Sequence, residues 1–279
     1  MTTNERKPGI AIIGGAEVAI ASRPLGQLQY GPENPGTISM ECRGKAWTIA
    51  RDLIKAGCRV EYISVAGNDF PGHAMKSQLK EFGAGVDHFH LVEGKNTAAS
   101  HEILNLLDQP EMEFQNGDVF DCLTSEMIQG AKGLLAAADC ILIETRFPEE
   151  TLRHVVSEFP QTPILVLTDT EQNASRASSV LGQIHGILSG RREAEVLSGL
   201  SILSEEELMT AAAWFSGKGV KQVFFDLGFG GLYYKDPQGE GAERPGPARL
   251  APVLTGIVEG LVAAEIAANA IKTNTQRGG

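Results

Sequence analysis

The sequence predicts an α/β protein built on a mostly parallel sheet, and three observations carry that prediction. Short apolar runs that end in glycine alternate with amphipathic stretches that end in helix stop signals, the order that lays helices on the faces of a parallel sheet. The chain has 279 residues, enough for one large domain with a substantial core. Apolar residues make up 42% and charged residues 21%, a globular balance rather than a disordered one.

The elements follow in order. Residues 9–15 read as a buried strand ending in Gly14 and Gly15. Residues 44–56 read as a helix stopped at Gly57, and 58–65 as a second strand. A helix over 71–82 ends at Gly83 and Gly85, and a short strand covers 86–92. Two stretches break the alternation. Residues 20–40 hold Pro24, Pro32 and Pro35 and few helix signals. Residues 98–120 hold two extended runs, 99–107 and 111–120, around Asp108-Gln109-Pro110, and read as a hairpin. Together they predict a small β lid inserted in a single domain over 1–279.

After residue 123 the alternation resumes. It gives a helix over 124–137, a strand over 140–144 and a helix opened by Pro148, a residue whose fixed φ suits a first turn. A strand over 163–167, a short helix near 175–181 and a strand over 184–188 come next. Ser204-Glu-Glu-Glu207 is a capping box, which predicts a helix over 204–217. A strand over 220–226 runs into Leu227-Gly228-Phe229-Gly230-Gly231 and then into 232–234. Residues 236–247, rich in Gly and Pro, read as a loop, and 257–272 as the last helix.

Composition excludes several function classes. Thirty-five acidic against 24 basic side chains give a net charge of −11, which argues against nucleic acid as a partner, because phosphates need nearby Lys or Arg. The cysteines at 42, 58, 122 and 140 form no Cys-x-x-Cys pair, so zinc-ribbon spacing is absent. No run approaches roughly 18 apolar residues, and no long apolar stretch follows the first residues; a cytoplasmic protein with no membrane partner is expected. The motifs of several enzyme classes fail. Gly14-Gly15 lacks the full Gly-x-Gly-x-x-Gly, and no phosphate loop or Gly-x-Ser-x-Gly elbow occurs. His101-Glu102 has Asn105 where a zinc-protease helix needs its second histidine. His88 and His90 share a strand face and read as a surface or packed pair.

Four segments carry a positive signal. Ile13-Gly-Gly-Ala-Glu-Val-Ala19 follows the first strand. Arg43-Gly-Lys-Ala-Trp-Thr48 opens the first helix. Gly67-Asn-Asp-Phe-Pro-Gly72 fits a Gly-x-Asp-x-x-Gly turn. Thr255-Gly-Ile-Val-Glu-Gly260 lies near the end of the sequence. In this order they resemble the ribokinase-like sugar and nucleoside kinases, the PfkB family. Arg23-Pro24-Leu25-Gly26 makes pseudouridine and related nucleoside kinases the nearest in look. The resemblance spans nearly the whole chain. It implies a ribokinase-like three-layer sandwich with a central mostly parallel sheet and a small β lid.

It also implies ATP-dependent phosphorylation of a sugar hydroxyl, with ATP and Mg2+ as cofactors and a small-molecule sugar or nucleoside as partner. A homodimer through the lid is a further implication. Residue by residue, Glu259 falls at the catalytic base. Thr255 and Gly256 fall in the anion hole, and Glu193, Gly228 and Gly231 on the nucleotide side. Glu17, Arg43, Gly44, Thr48 and Asn96 fall on the substrate side. The chemistry is that of a helix N-terminus offering N–H groups to a phosphate while a carboxylate takes the proton of the attacking hydroxyl.

The sequence departs from that pattern at each chemical position. Glu259 stands for Asp, and Val258 for a glycine whose positive φ a β-branched residue disfavours. Ala19 stands for the sugar-binding Asp, with Glu17 nearby. Arg43 replaces one of two paired glycines, and Thr48 replaces an Asn. Gly190 replaces the Asn of Asn-x-x-Glu, while Glu193 stays. About one helix follows the last motif, where members of the family have two or more. These departures predict a ligand-binding pseudokinase whose phosphotransfer is weakened or lost. The alternative is an active kinase with Glu259 as base and an altered substrate. Plainer readings stay open beside both: Glu259 as a first-turn acid, Glu193 as helix surface, Gly228 and Gly231 as turn glycines, and Arg43 and Lys45 as surface cations or holders of an anionic ligand.

Overall fold

The computed structural model describes residues 6–228, 231–237 and 239–243. Its centre is β1 (Gly9–Ile13), all five residues of which are buried. On one side β1 pairs in parallel with β4 (Arg59–Gly67), and β4 with β5 (Phe89–Val92). On the other side follow β8 (Cys140–Glu144), β9 (Ile164–Leu167), β10 (Gly186–Gly190) and β11 (Gln222–Asp226), all parallel. Two antiparallel strands, β12 (Leu232–Asp236) and β13 (Gly239–Glu243), bring the sheet to nine strands among the described residues. Successive residues of β1 serve opposite faces, as the pleat requires. Ile10 and Ile12 pack with α1 (Lys45–Lys55) and α2 (Phe70–Phe82) on one side. Ala11 and Ile13 pack on the other side with α3 (Ser125–Gly130), α4 (Lys132–Ala136), α5 (Glu149–Glu158), α7 (Arg191–Ser198) and α8 (Glu205–Gly217). Helices on both faces of one sheet make the expected three-layer sandwich.

The lid is a second, four-stranded sheet. β2 (Glu17–Pro24) pairs antiparallel with β3 (Gly36–Arg43) and parallel with β6 (Ala99–Leu104), which pairs antiparallel with β7 (Pro110–Asn116). The two stretches that broke the alternation are therefore strands, and they run past the expected bounds into Glu17 and Arg43.

Most expected elements stand, and four details differ. The helix over 124–137 is two short helices that break at Ala131 (φ −94°, ψ 4°), after Gly130, where helix propensity is poor. The short helix begins earlier than 175, as α6 (Glu171–Ala174), because Thr170 caps it by accepting from the Asn173 N–H. α7 is an element in its own right between β10 and α8. The loop expected over 236–247 contains β13. Asp236 accepts from the Gly239 N–H at 2.9 Å to close the turn, and Gly241 leaves room for the Tyr234 ring, which a Cβ there would meet at 2.9 Å. The capping box of α8 forms as read, with Glu207 Oε2 accepting from the Ser204 N–H at 2.9 Å. The helix expected over 257–272 lies outside the described residues. The four cysteines are free thiols, and burial pushes that of Cys140 up to about 12. Among the described residues no helix is long and apolar enough to cross a membrane.

Candidate functional site

The carboxyl ends of the neighbouring strands β1, β8, β9 and β10 come together beside the lid, at the edge where parallel α/β sheets bind ligands. Glycines shape the floor of the crevice there. A Cβ on Gly14 would lie 2.3 Å from Ala46 Cβ, and one on Gly15 would lie 2.5 Å from Arg146 Cδ. Gly44, at φ 153°, would drive a Cβ to 2.8 Å from the Gly15 carbonyl. Only glycine lets the start of α1 sit directly on the turn after β1.

A ladder of alternating charge crosses the lid side of this floor. Glu17 and Arg43 are register partners in the lid, and Arg43 Nε donates to Glu17 Oε1 at 3.0 Å. Arg43 also donates to Ser100 Oγ at 2.8 Å and pairs with Glu102 at 3.4 Å. Arg146 Nη1 donates to Glu17 Oε2 at 3.1 Å, and its Nη2 to Asp169 Oδ1 at 2.7 Å. The order is Glu102, Arg43, Glu17, Arg146, Asp169. Arg146 is 13% exposed, between Glu17 at 15% and Asp169 at 6%, with its guanidinium 5.0 Å from the centre of the Phe120 ring. Burial works against its charge, but Glu144, Asp169 and Glu17 outweigh burial and hold its pKa above the ordinary value. Arg176 fixes the loop beneath by donating to the Thr145, Arg146 and Phe147 carbonyls at 3.2, 2.8 and 2.9 Å.

Glu144 lies below the ladder, fully buried at the end of β8. Its Oε2 accepts from the Gly15 N–H at 2.7 Å, and its Oε1 has no partner. Burial pushes its pKa up to about 7, with Arg146 opposing and Asp169 adding to the rise.

Beyond Asp169 the crevice opens into a cleft of about 1080 Å³. Among the described residues Asp169, Gly190, Glu193, Leu208, Asp226 and Leu227 line it. Lys45, at the start of α1, reaches across to Glu193 Oε1 at 3.1 Å. The cleft is large enough for a nucleotide. Mg2+ needs only one or two carboxylates when substrate phosphates complete its shell, and Glu193 and Asp226 are present for that. No group of three or more metal-ligating side chains is assembled among the described residues.

The expected site residues separate into three sets. Glu17, Arg43 and Gly44 meet under the lid, and Glu193 lines the cleft. Gly228 (φ 58°) and Gly231 (φ 114°) form the β11–β12 turn at the cleft edge, where Gly231 N donates to the Gly228 carbonyl at 3.1 Å; the turn requires both glycines. Thr48 is exposed on the first turns of α1, and Asn96 is exposed one residue before Thr97; no hydrogen bond joins either side chain to the ladder. Ala19 is buried on the same strand face as Glu17. Thr255, Gly256, Val258 and Glu259 lie outside the described residues. The sequence reading missed Arg146, Asp169, Glu144 and Arg176. The signal available for the first three was positional: polar residues directly after apolar parallel strands fall at the ligand edge of the sheet.

The Gly67–Gly72 turn is a cap. Asp69 precedes α2 and accepts from the Gly72 N–H at 2.9 Å and the Thr97 N–H at 2.8 Å. A Cβ on Gly72 would meet the Gly67 carbonyl at 2.1 Å, and one on Gly67 would meet the Lys95 carbonyl at 2.3 Å. Burial alone would raise the Asp69 pKa, but these N–H donors and the Thr97 hydroxyl hold it below its ordinary value.

A nine-stranded doubly covered sheet, a four-stranded lid and a crevice between them define a small-molecule kinase fold. Residues 10–251 match the pfkB family carbohydrate kinases, and the chain belongs to that family. It is 27% identical over 234 residues to pseudouridine kinase of Escherichia coli K12, covering 84% of this chain and 75% of the relative. It is 23% identical to guanosine-inosine kinase of Exiguobacterium acetylicum, covering 81% and 76%. Arabidopsis thaliana ribokinase complexed with ribose and ATP has a TM-score of 0.78 to this structure, at 17% identity, covering 91% of this chain and 87% of the ribokinase.

Proposed function

We propose that this chain binds a sugar or nucleoside under its lid and a nucleotide in the adjoining cleft, with phosphotransfer weakened or lost. The single observation that carries the reading is the ladder. The lid side of the crevice is already filled by paired charges of the chain itself, so an acceptor sugar must compete with Arg43 and Arg146 for Glu17 and Asp169. The missing Asp at Ala19, the missing Asn at Gly190 and the sequence Val258-Glu259 point the same way. ATP, when bound, supplies the phosphoryl group, with Mg2+ neutralising its charge. The chain's own groups orient the partners: Glu17 accepts ligand hydroxyls, Arg43 and Arg146 hold Glu17, and the lid excludes water.

The second reading is an active kinase in which Glu259 takes the acceptor proton. It predicts turnover that Glu259→Gln abolishes. The test is a phosphotransfer assay with Mg-ATP and pseudouridine, adenosine or ribose, beside calorimetric binding of each. Binding without turnover supports the first reading, and Glu259-dependent turnover supports the second.

The lid also suits pairing with a second copy. Ile38 and Met40 on β3 and Met112 and Phe114 on β7 are exposed. Their register through Ile20, Ser22, His101 and Ile103 places them on one sheet face. Light scattering tests this, and a strict monomer would sink it.

A further inference from the structure

Lys45 and Glu193 form a side-chain contact outside the ladder. The Lys45 ammonium has three donors, and three oxygens take them: the Thr168 carbonyl at 3.0 Å, the Asp169 carbonyl at 3.0 Å and Glu193 Oε1 at 3.1 Å. The contact joins the start of α1 to the loop after β9 and the first turn of α7, across the mouth of the cleft. Glu193 reaches it in a folded-back position. A Cβ on Gly190 would lie 2.3 Å from Glu193 Oε2. Any side chain at residue 190 displaces that carboxylate, so the Gly190 substitution and the Lys45–Glu193 contact belong together.

We propose that Lys45 is a built-in cation that occupies the Glu193 carboxylate at the cleft wall, and that a nucleotide enters by displacing this contact. The inference rests on the reading of the cleft as a nucleotide site. Lys45 is 42% exposed, so its pair with Glu193 is partly solvated and weak enough to exchange. A nucleotide phosphate offers the ammonium anionic oxygens in place of the carboxylate. In the closed form Glu193 is already neutralised and does not attract a divalent cation; on opening, Lys45 passes to the phosphate and Glu193 is freed.

Calorimetric titration with ATP, once in EDTA and once in Mg2+, tests this with the wild type, Glu193→Gln and Gly190→Ala. Both variants free one of the three Lys45 donors while keeping its charge. Each is expected to bind metal-free ATP more tightly than the wild type, by on the order of tenfold. Lys45→Met, which loses both the lock and the cation, gains less than either. Equal or weaker ATP binding by both Glu193→Gln and Gly190→Ala overturns the proposal. A thermal-unfolding cycle of Lys45→Met, Glu193→Gln and the double variant reads the contact without nucleotide. The double variant is expected to lose less than the sum of the singles, and strict additivity overturns the lock. Coupling in the cycle with no ATP binding by any protein also overturns it as a nucleotide device, and places the failure in the reading of the cleft.

Discussion

Under the lid, Glu17, Arg43, Arg146 and Asp169 are joined by ion pairs within 3.1 Å. On the far side of Asp169 the cleft of about 1080 Å³ stays open, and the contact across its mouth is a single lysine. The two halves share one floor, yet one is closed by internal ion pairs and the other remains an open cleft. The difference shows that one sheet edge can pair its charges in one half and leave them lining open space in the other. The Glu17 carboxylate is held by arginines from the lid and from the end of β8.

The sharpest way to break this comparison is Arg146→Ala. It leaves Glu17, Asp169 and the nearby Glu144 without their shared cation, and removing one partner of a buried pair costs about 3–5 kcal/mol. Urea unfolding should show that loss, and a loss below about 1 kcal/mol would mean that the ladder is solvated. Asp69→Ala tests the frame on which both halves rest. It should cost about 1–2 kcal/mol as a lost helix cap, read by the same unfolding. The Asp69 pKa is depressed in the fold, so its contribution is present above its ordinary value near 3.8 and is lost as pH falls through the folded value.

Glu144 has the opposite sense. Its pKa rises from 4.5 to about 7 on folding, so between those values the folded state binds more protons than the unfolded state. Stability from this group therefore falls as pH rises from about 4.5 to about 7 and is level above that. Glu144→Gln removes the titration. Its melting temperature should gain on the wild type between pH 5 and pH 8, and a constant difference across that range would contradict the assignment. The smallest effect is expected from Arg43→Ala, whose side chain is 38% exposed. Its stability should change by no more than about 1 kcal/mol. By freeing Glu17 it should tighten nucleoside binding under the lid, which calorimetry would detect.

The fold was legible in the sequence because each signal was local. The glycine-ended apolar runs, the capping box at Ser204 and the Asp69 turn each encode an element within a few residues. β13 was not legible, since Gly239 and Gly241 punctuate like a loop until Tyr234 is placed across from Gly241. The site was legible only where a motif survives. Glu17, Arg43 and Glu193 were found by position along the chain. Arg146 and Asp169 were not, because their role depends on strands far apart in sequence ending side by side. Lys45 stood in the sequence as a cation at a helix start, and only the folded chain pairs it with Glu193, 148 residues away.

The measurement that bears most directly on the division between the halves is calorimetric titration with Mg-ATP, followed by pseudouridine, adenosine and ribose, with phosphotransfer assayed on the same samples. Nucleotide binding with weak acceptor binding and little or no product is the predicted result. Rapid formation of a phosphorylated sugar or nucleoside, unaffected by Arg43→Ala, would contradict it.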